Sequence, residues 1–328
     1  MDFRYTQDQT DLIDAANAIF EGENTLQRLR QLVAQPDVDS KPSDIWGQFS
    51  ELGLIGLMAP ESVGGLDQPL VLMTGVAEAA GYVGLPEPLV EVAGIIVPIL
   101  SQIGDLDSLT KVVEGQLSLG VITPLLPFNN YYSQHDGFVV TSEVGADLVS
   151  KEAINFQPRR SIDPLRQLSK ADRQGVQNAL ADHHGAVLGA AQLIGLAKRM
   201  IDMSVEYAKD RKQFGQPIGA FQAVKHQLAT AYTAVEFARP IVHLAALQGG
   251  LAVHNAKLAA IDAAMLAAET AIQVHGGMGY TYEVDLHLFM KRTWALCAEW
   301  GDRNYHLKKL EDTVLNGKAK LGSGHTFV

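Results

Sequence analysis

The second half of the chain carries the feature that most limits its fold: four long stretches of helical periodicity separated by short glycine links. Val187, Ala191, Ile194, Ile201, Val205 and Ala208 recur at spacings of three, four and seven, which places them along one face of a single long helix. That pattern stops at Arg211-Lys212-Gln213-Phe214-Gly215-Gln216-Pro217, where glycine and proline end it. Further helical stretches cover 220–247, 252–275 and 284–309, joined by Gly249-Gly250 and by Gly276-Gly277-Met278-Gly279. Long helices with short links must reverse direction at each link, so the spacing predicts an antiparallel four-helix bundle. The third helix is rich in alanine (Ala256, Ala260, Ala264, Ala268 among others), which permits close approach within the bundle or between subunits.

Upstream, Thr6 and Gln9 have the spacing of a capping box, and Leu12, Ile13, Ala16, Ile19 and Phe20 follow at helical intervals. A helix is therefore expected from about Gln7, with others over 24–34, 43–52 and 70–82 and a Gly/Pro-bearing break at 53–66. Between 113 and 158 the texture changes. The segments 117–123, 137–142 and 146–156 carry β-branched and aromatic residues between turn-formers such as Asn129-Asn130 and Asp136-Gly137. They read as short strands of a small β insert, with helix resuming from about Lys170. The expected fold class is mainly α with a small β insert: an N-terminal helical domain over 1–110, a β domain over 111–165 and the bundle over 166–328. The tail 322–328 is expected to fray.

Charge and cysteine usage narrow the function classes. Twenty-six Lys and Arg against 37 Asp and Glu leave a formal charge of −11, so no broad cationic surface exists for nucleic acid or anionic lipid. The single cysteine, Cys297, cannot form an internal disulfide or a Cys-rich zinc site and reads as a small buried residue. The opening residues Met1 to Asp8 are polar, unlike a signal peptide, and the apolar window 90–100 contains Glu91 and Pro98 and is too short to span a bilayer. A cytoplasmic location with no membrane partner is the expectation. The sequence holds no G-x-S-x-G, H-E-x-x-H or G-x-x-x-x-G-K-[ST] pattern. His183 and His184 are adjacent, project differently from a helix and read as structural, so no metal site is expected. Gly276-Gly277-x-Gly279 follows a helix where a dinucleotide fingerprint needs a strand, which disfavours a Rossmann dehydrogenase.

Two segments are more specific. In the first, Arg211 to Gln222, a guanidinium at a helix end precedes a tight turn and a new helix, and Arg offers a planar fork for phosphate oxygens. In the second, Gln273-Val274-His275-Gly276-Gly277-Met278-Gly279, glycines let a backbone approach a ligand closely. On residue chemistry alone, a ligand site and an ordinary helix stop are both open readings.

The order and spacing of these segments resemble the acyl-CoA dehydrogenase flavoproteins over nearly the whole chain. Three matches carry the resemblance: Glu51-Leu-Gly-Leu-Ile-Gly-Leu-Met-Ala-Pro-Glu-Ser-Val-Gly-Gly65, the Arg-x-x-Phe-Gly run at Arg211 and the Gln-x-x-Gly-Gly-x-Gly run at Gln273. The resemblance implies that Arg211, Gln213, Phe214, Phe221, Gln273, Val274, Gly276 and Gly277 face the ADP half of an FAD lying mainly in a neighbouring subunit. It also implies an acyl-CoA substrate and an electron-transfer flavoprotein as acceptor. The family's Thr-Glu and Gly-Ser-Asp segment beside the flavin ring is not found, because the shortened β insert reads Val121-Ile-Thr-Pro-Leu-Leu-Pro-Phe-Asn-Asn130.

The family's base is a second departure. A carboxylate precedes a late glycine, where this chain has Trp300-Gly301, or sits on the long helix, where it has Gly185-Ala186. Glu299 is one residue off, and one residue turns a helical side chain by about 100°. No catalytic residue is therefore expected, and Trp300 is expected to fill the acyl pocket. Such a chain resembles the shorter subunit of the bacterial α2β2 acyl-CoA dehydrogenases of steroid side-chain degradation, whose larger partner supplies the base. The competing expectations are a homo-oligomeric dehydrogenase with Glu299, Asp182 or Asp302 as a displaced base, and a helical scaffold that binds no flavin.

Overall fold

The computed structural model describes residues 4–34, 44–130, 133–143 and 145–317, so the tail expected to fray lies outside the described residues. Helix α1 (Gln7–Glu23) starts at the expected capping box: Thr6 Oγ1 accepts the Gln9 N–H at 3.3 Å and Gln9 Oε1 accepts the Thr6 N–H at 3.1 Å. Helices α2 (Leu26–Ala34), α3 (Asp44–Glu51), α4 (Leu70–Val83), α5 (Leu89–Glu91), α6 (Val97–Ile103) and α7 (Leu106–Val113) follow. A π turn over Val92–Ile96 joins α5 to α6.

Six short strands come next: β1 (Leu119–Ile122), β2 (Asn129–Asn130), β3 (Gly137–Ser142), β4 (Gly145–Ser150), β5 (Phe156–Arg159) and β6 (Leu168–Ala171). They form two three-stranded sheets, β1-β3-β4 and β2-β6-β5, with β1 parallel to β3 and the other pairs antiparallel. The bundle consists of α8 (Ala179–Asp210), a hairpin of β7 (Lys212–Gln213) and β8 (Gln216–Pro217), α9 (Gln222–Gln248), α10 (Leu251–His275), α11 (Leu286–Cys297) and α12 (Arg303–Leu315).

Four local expectations are corrected. Asn129-Asn130 is not a turn; both residues are buried and pair with Ser169 and Leu168. The strand expected over 146–156 is divided, because β4 belongs to one sheet and β5 to the other, and a 3₁₀ turn at Lys151–Ala153 carries the chain between them. Helix α8 begins at Ala179, where helix was expected from about Lys170. Asn178 caps α8 by accepting the Ala181 N–H at 3.0 Å, and its amide donates to the carbonyls of Ser142 and Gly145. Finally, the fourth helical stretch is interrupted. Trp300 and Gly301 adopt φ of +56° and +89°, a conformation no α-helix contains, and Asp302 then caps α12 by accepting the Tyr305 N–H at 2.8 Å.

The long helix α8 holds the halves of the molecule together, packing on α4, α9, α10 and α11. Its approach to α4 is close enough for backbones to touch. A Cβ at Gly195 would lie 1.9 Å from the Glu78 carbonyl oxygen, and one at Gly81 would lie 2.2 Å from that of Gln192. The alanines of α10 do the same work inside the bundle, where Ala256, Ala260, Ala264, Ala267 and Ala271 are buried. The 251–280 stretch is long and apolar enough to cross a membrane by length and composition, and half of its most apolar 18-residue segment is buried inside the protein. Because the α4 backbone cannot yield to a methyl group, Gly195→Ala is expected to destabilise the fold by roughly 3 kcal/mol. A urea titration followed by circular dichroism checks this as a lowered midpoint.

Candidate functional site

One candidate surface lies at the end of the bundle where α8 and α10 finish and α9 begins. The β7–β8 hairpin has a two-residue loop, Phe214-Gly215, with both φ values positive (+53° and +81°), as a type I′ turn requires. Glycine suits that geometry; Phe214 is strained in it and leaves its ring 93% exposed. The hairpin is fixed to α8 by the Arg211 N–H donating to Tyr207 O at 2.9 Å and the Ile218 N–H donating to Arg211 O at 2.8 Å. Phe221 stands edge-on to Phe214 with centroids 6.2 Å apart.

The glycine segment reaches the same end. His275 closes α10 and its ring stacks on Tyr207 at 4.4 Å and 26°. Tyr207 lies one helical turn before Arg211 and His275 immediately precedes Gly276, so this contact joins two segments that are distant in sequence. Arg211, Gln213, Phe214, Gln273, Gly276 and Gly277 are exposed there, and Phe221 is half-buried. Val274 is the exception: it is buried and packs inward. Among the described residues the Arg211 guanidinium has no hydrogen bond or ion pair, and Cβ atoms at Gly276 or Gly277 would meet nothing within 4 Å. An unpaired guanidinium, exposed aromatic rings and a bare glycine ridge suit a ligand that combines phosphate with a planar ring.

A second region surrounds the two positions where the sequence lacks a base. The Trp300 indole lies directly on α8 at Gly185, where a Cβ would fall 2.0 to 2.5 Å from three indole carbons. The ring is 5% exposed. Its backbone is held on both sides: the Trp300 N–H donates to Leu125 O at 3.0 Å, and His306 Nε2 bonds Trp300 O at 3.0 Å. His306 Nδ1 in turn lies 2.9 Å from His254 Nδ1. Both candidate base positions are thus consumed in one packing contact.

The neighbouring carboxylates are occupied or enclosed. Glu299 forms an ion pair with Arg166 and accepts from Asn130 Nδ2 at 3.3 Å. Asp302 serves as the cap of α12. Arg166 also faces Asp163 at 3.5 Å, and Asp163 faces Arg292 at 3.4 Å, while Arg292 donates to Leu85 O. Behind them Glu91 accepts from the Val121 N–H at 3.3 Å, and its carboxyl is pushed up to about 7 by burial and then by the charge of Glu299, with Arg166 opposing. The crevice bounded by Glu91, Arg166, Gly185, Arg292, Glu299 and Trp300 is only about 40 Å³. That volume admits a water or two, whereas small-molecule sites run to several hundred Å³.

On the far side of Leu125 and Ala186, a cavity of about 440 Å³ is lined by Asp182, His183, His254, Tyr305 and Lys309 among others. Burial pushes the Asp182 carboxyl up to about 6, with Lys309 opposing, and its Oδ1 has no hydrogen-bond partner among the described residues. The two adjacent histidines serve different helices, as expected of structural residues: His183 Nε2 bonds Ala245 O at 3.1 Å and His184 Nδ1 bonds Gly94 O at 2.7 Å. Burial raises the Cys297 thiol to about 11, so it stays protonated and unreactive at neutral pH. Among the described residues no three side chains gather as a metal site. Asp163, Arg166 and Arg292 lie in no motif of the sequence. Glu91 alone left a signal, as the one charge within the apolar window 90–100.

A helical N-terminal part, a small β region and a C-terminal helical bundle with an Arg-x-x-Phe-Gly hairpin make up the acyl-CoA dehydrogenase architecture. Residues 6–114 match the acyl-CoA dehydrogenase N-terminal domain and residues 173–315 match the acyl-CoA dehydrogenase C-terminal domain. Among curated relatives, acyl-CoA dehydrogenase IpdE2 of Mycolicibacterium smegmatis is 31% identical over 279 residues, covering 83% of this chain and 88% of the relative. The Mycobacterium tuberculosis protein of the same name is 31% identical over 278 residues, covering 82% and 86%. The chain belongs to the acyl-CoA dehydrogenase family. In fold it is similar to a chain of the ChsE4-ChsE5 complex from Mycobacterium tuberculosis, with a TM-score of 0.84 at 21% identity over 98% of this chain and 100% of that one. It is also similar to a chain of the Tcur3481-Tcur3483 steroid acyl-CoA dehydrogenase, with a TM-score of 0.83 at 22% identity over 96% and 99%.

Glu91 gives a pH prediction. Its carboxyl titrates near 4.5 when unfolded and about 7 when folded, so the native state holds the proton more tightly. Its contribution to stability is greatest below pH 4.5 and falls as the pH rises to 7. Glu91→Gln is therefore expected to raise the melting temperature more at pH 8 than at pH 5, as thermal melts at both values would read.

Proposed function

We propose that this chain is the partner subunit of a hetero-oligomeric, α2β2 acyl-CoA dehydrogenase that works in the cytoplasm and desaturates a CoA thioester between its α and β carbons. The observation that carries the reading is the Trp300 indole lying on Gly185, which leaves neither base position able to take a proton. In this assembly FAD supplies the hydride acceptor. This chain's Arg211 would hold the pyrophosphate, Phe214 would offer its exposed ring to the planar end with Phe221 edge-on behind it, and Gln213, Gln273 and the Gly276-Gly277 ridge would face the remaining sugar and phosphate atoms. Val274 supports that surface from inside. A base outside this chain takes the α proton, because Glu299 and Asp302 are committed to Arg166 and to the helix cap. We assign the 1–110, 111–165 and 166–328 divisions to the N-terminal, β and bundle domains. The substrate class is a steroid side-chain thioester, supported by likeness to a solved dehydrogenase described as a steroid enzyme. An electron-transfer flavoprotein is the acceptor that fits the family.

One observation favours a second reading, a self-sufficient enzyme. Asp182 has an unpartnered oxygen beside a cavity large enough for a small ligand, and its carboxyl lies near 6, within the range of a general base. Co-expression with a longer acyl-CoA dehydrogenase chain as candidate partner separates the two. A yellow complex is expected whose flavin bleaches with an acyl-CoA thioester and is unaffected by Asp182→Asn, while Arg211→Ala weakens FAD retention about tenfold or more. Full activity in the isolated chain, abolished by Asp182→Asn, would establish the second reading instead.

A further inference from the structure

The proposed cofactor surface is built from two segments that no strand or shared helix connects, so something must set their separation. Each segment is rigid on its own helix. The hairpin is registered to the last turn of α8 by the Arg211 and Ile218 amide bonds, and Gly219 sits so close to that turn that a Cβ would lie 3.0 Å from Ala208 O. The glycine loop folds back over the last turn of α10, where a Cβ at Gly279 would lie 2.9 Å from Ile272 O. What remains is the position of one helix end relative to the other, and the terminal turns of helices are where structure is least held.

The Tyr207–His275 stack lies at that junction. The rings are nearly parallel at 4.4 Å, and His275 Nδ1 bonds Ala271 O at 2.8 Å, which fixes the imidazole plane. Burial holds His275 below its ordinary range, which favours the uncharged imidazole in the stack. His275 is 4% exposed, too enclosed to touch a ligand resting on the surface outside it. Tyr207 is held at the other side by the carbonyl that receives the Arg211 N–H.

We infer that Tyr207 and His275 are positioning residues, whose stacked rings fix the distance between the Arg211 guanidinium and the Gly276-Gly277 ridge so that one FAD reaches both. The inference rests on the proposed role of this surface in FAD binding. Neither ring takes part in the chemistry; they act through the groups on either side.

The test measures FAD affinity of the full-length chain in its FAD-binding assembly, by quenching of flavin fluorescence, alongside urea midpoints of each variant. Tyr207→Leu and His275→Leu are each expected to weaken FAD binding about threefold to tenfold, the range an aromatic pair supplies. The double variant is expected to lose no more than either single one, and Tyr207→Phe, which keeps the stack, to bind as the parent does. Arg211→Ala is the reference. If it weakens binding while both leucine variants bind normally, the positioning role is wrong and the cofactor surface stands. If Arg211→Ala has no effect, the cofactor reading itself fails. Affinity losses that are additive, or that Tyr207→Phe shares, would also overturn the inference, since a coupled ring pair predicts neither.

Discussion

The contact between the Trp300 indole and the bare backbone of Gly185 is the constraint on which the rest of the account depends. Each residue alone has an ordinary explanation: a buried aromatic, or a glycine in a crowded helix. Together they are complementary, since any side chain at Gly185 would displace the indole and any smaller group at Trp300 would leave a void beside α8. The positive φ at Trp300 is sustained because Leu125 O accepts its N–H and His306 bonds its carbonyl. The break between α11 and α12 follows from the same geometry.

Around that contact, the adjoining crevice is filled with charge. Glu91, Arg166, Arg292 and Glu299, from the N-terminal helices, the β region and the bundle, line one crevice, and Asp163 faces both arginines. Buried ions are costly to desolvate, and these are offset by pairing across three parts of the chain. Glu91 is the member least well compensated, which is why burial raises its carboxyl so far. The other end of the bundle contrasts with this: Arg211 is exposed and unpaired among the described residues, and Phe214 projects a strained, solvent-facing ring. The charges of the crevice are paired with one another, whereas those of the hairpin face solvent.

Much of the fold was legible because it is written in local signals. The Thr6–Gln9 capping box, the stripe from Val187 to Ala208 and the paired glycines at 249–250 and 276–277 all act over a few residues, and each marks a boundary that the structure keeps within a residue or two. The errors arose where distant pairing decides. Asn129-Asn130 has turn chemistry, yet β6 recruits it as a strand; the 284–309 pattern is helical by period, yet Trp300 leaves the helix to reach Gly185. For the site, the two end segments could be read from their residue types, but their meeting through Tyr207 and His275 could not. Nor could the pairing of Arg166 with Glu299 or Asp163 with Arg292, since charges 133 and 129 residues apart carry no signature of partnership.

The most direct measurement of the central claim is the flavin content of this chain purified alone and in its assembly, from the flavin absorbance against protein concentration. The account predicts no bound FAD on the isolated chain and one FAD for each pair of this chain with a longer partner. One FAD per copy of this chain without any partner, reduced by an acyl-CoA thioester, would contradict it.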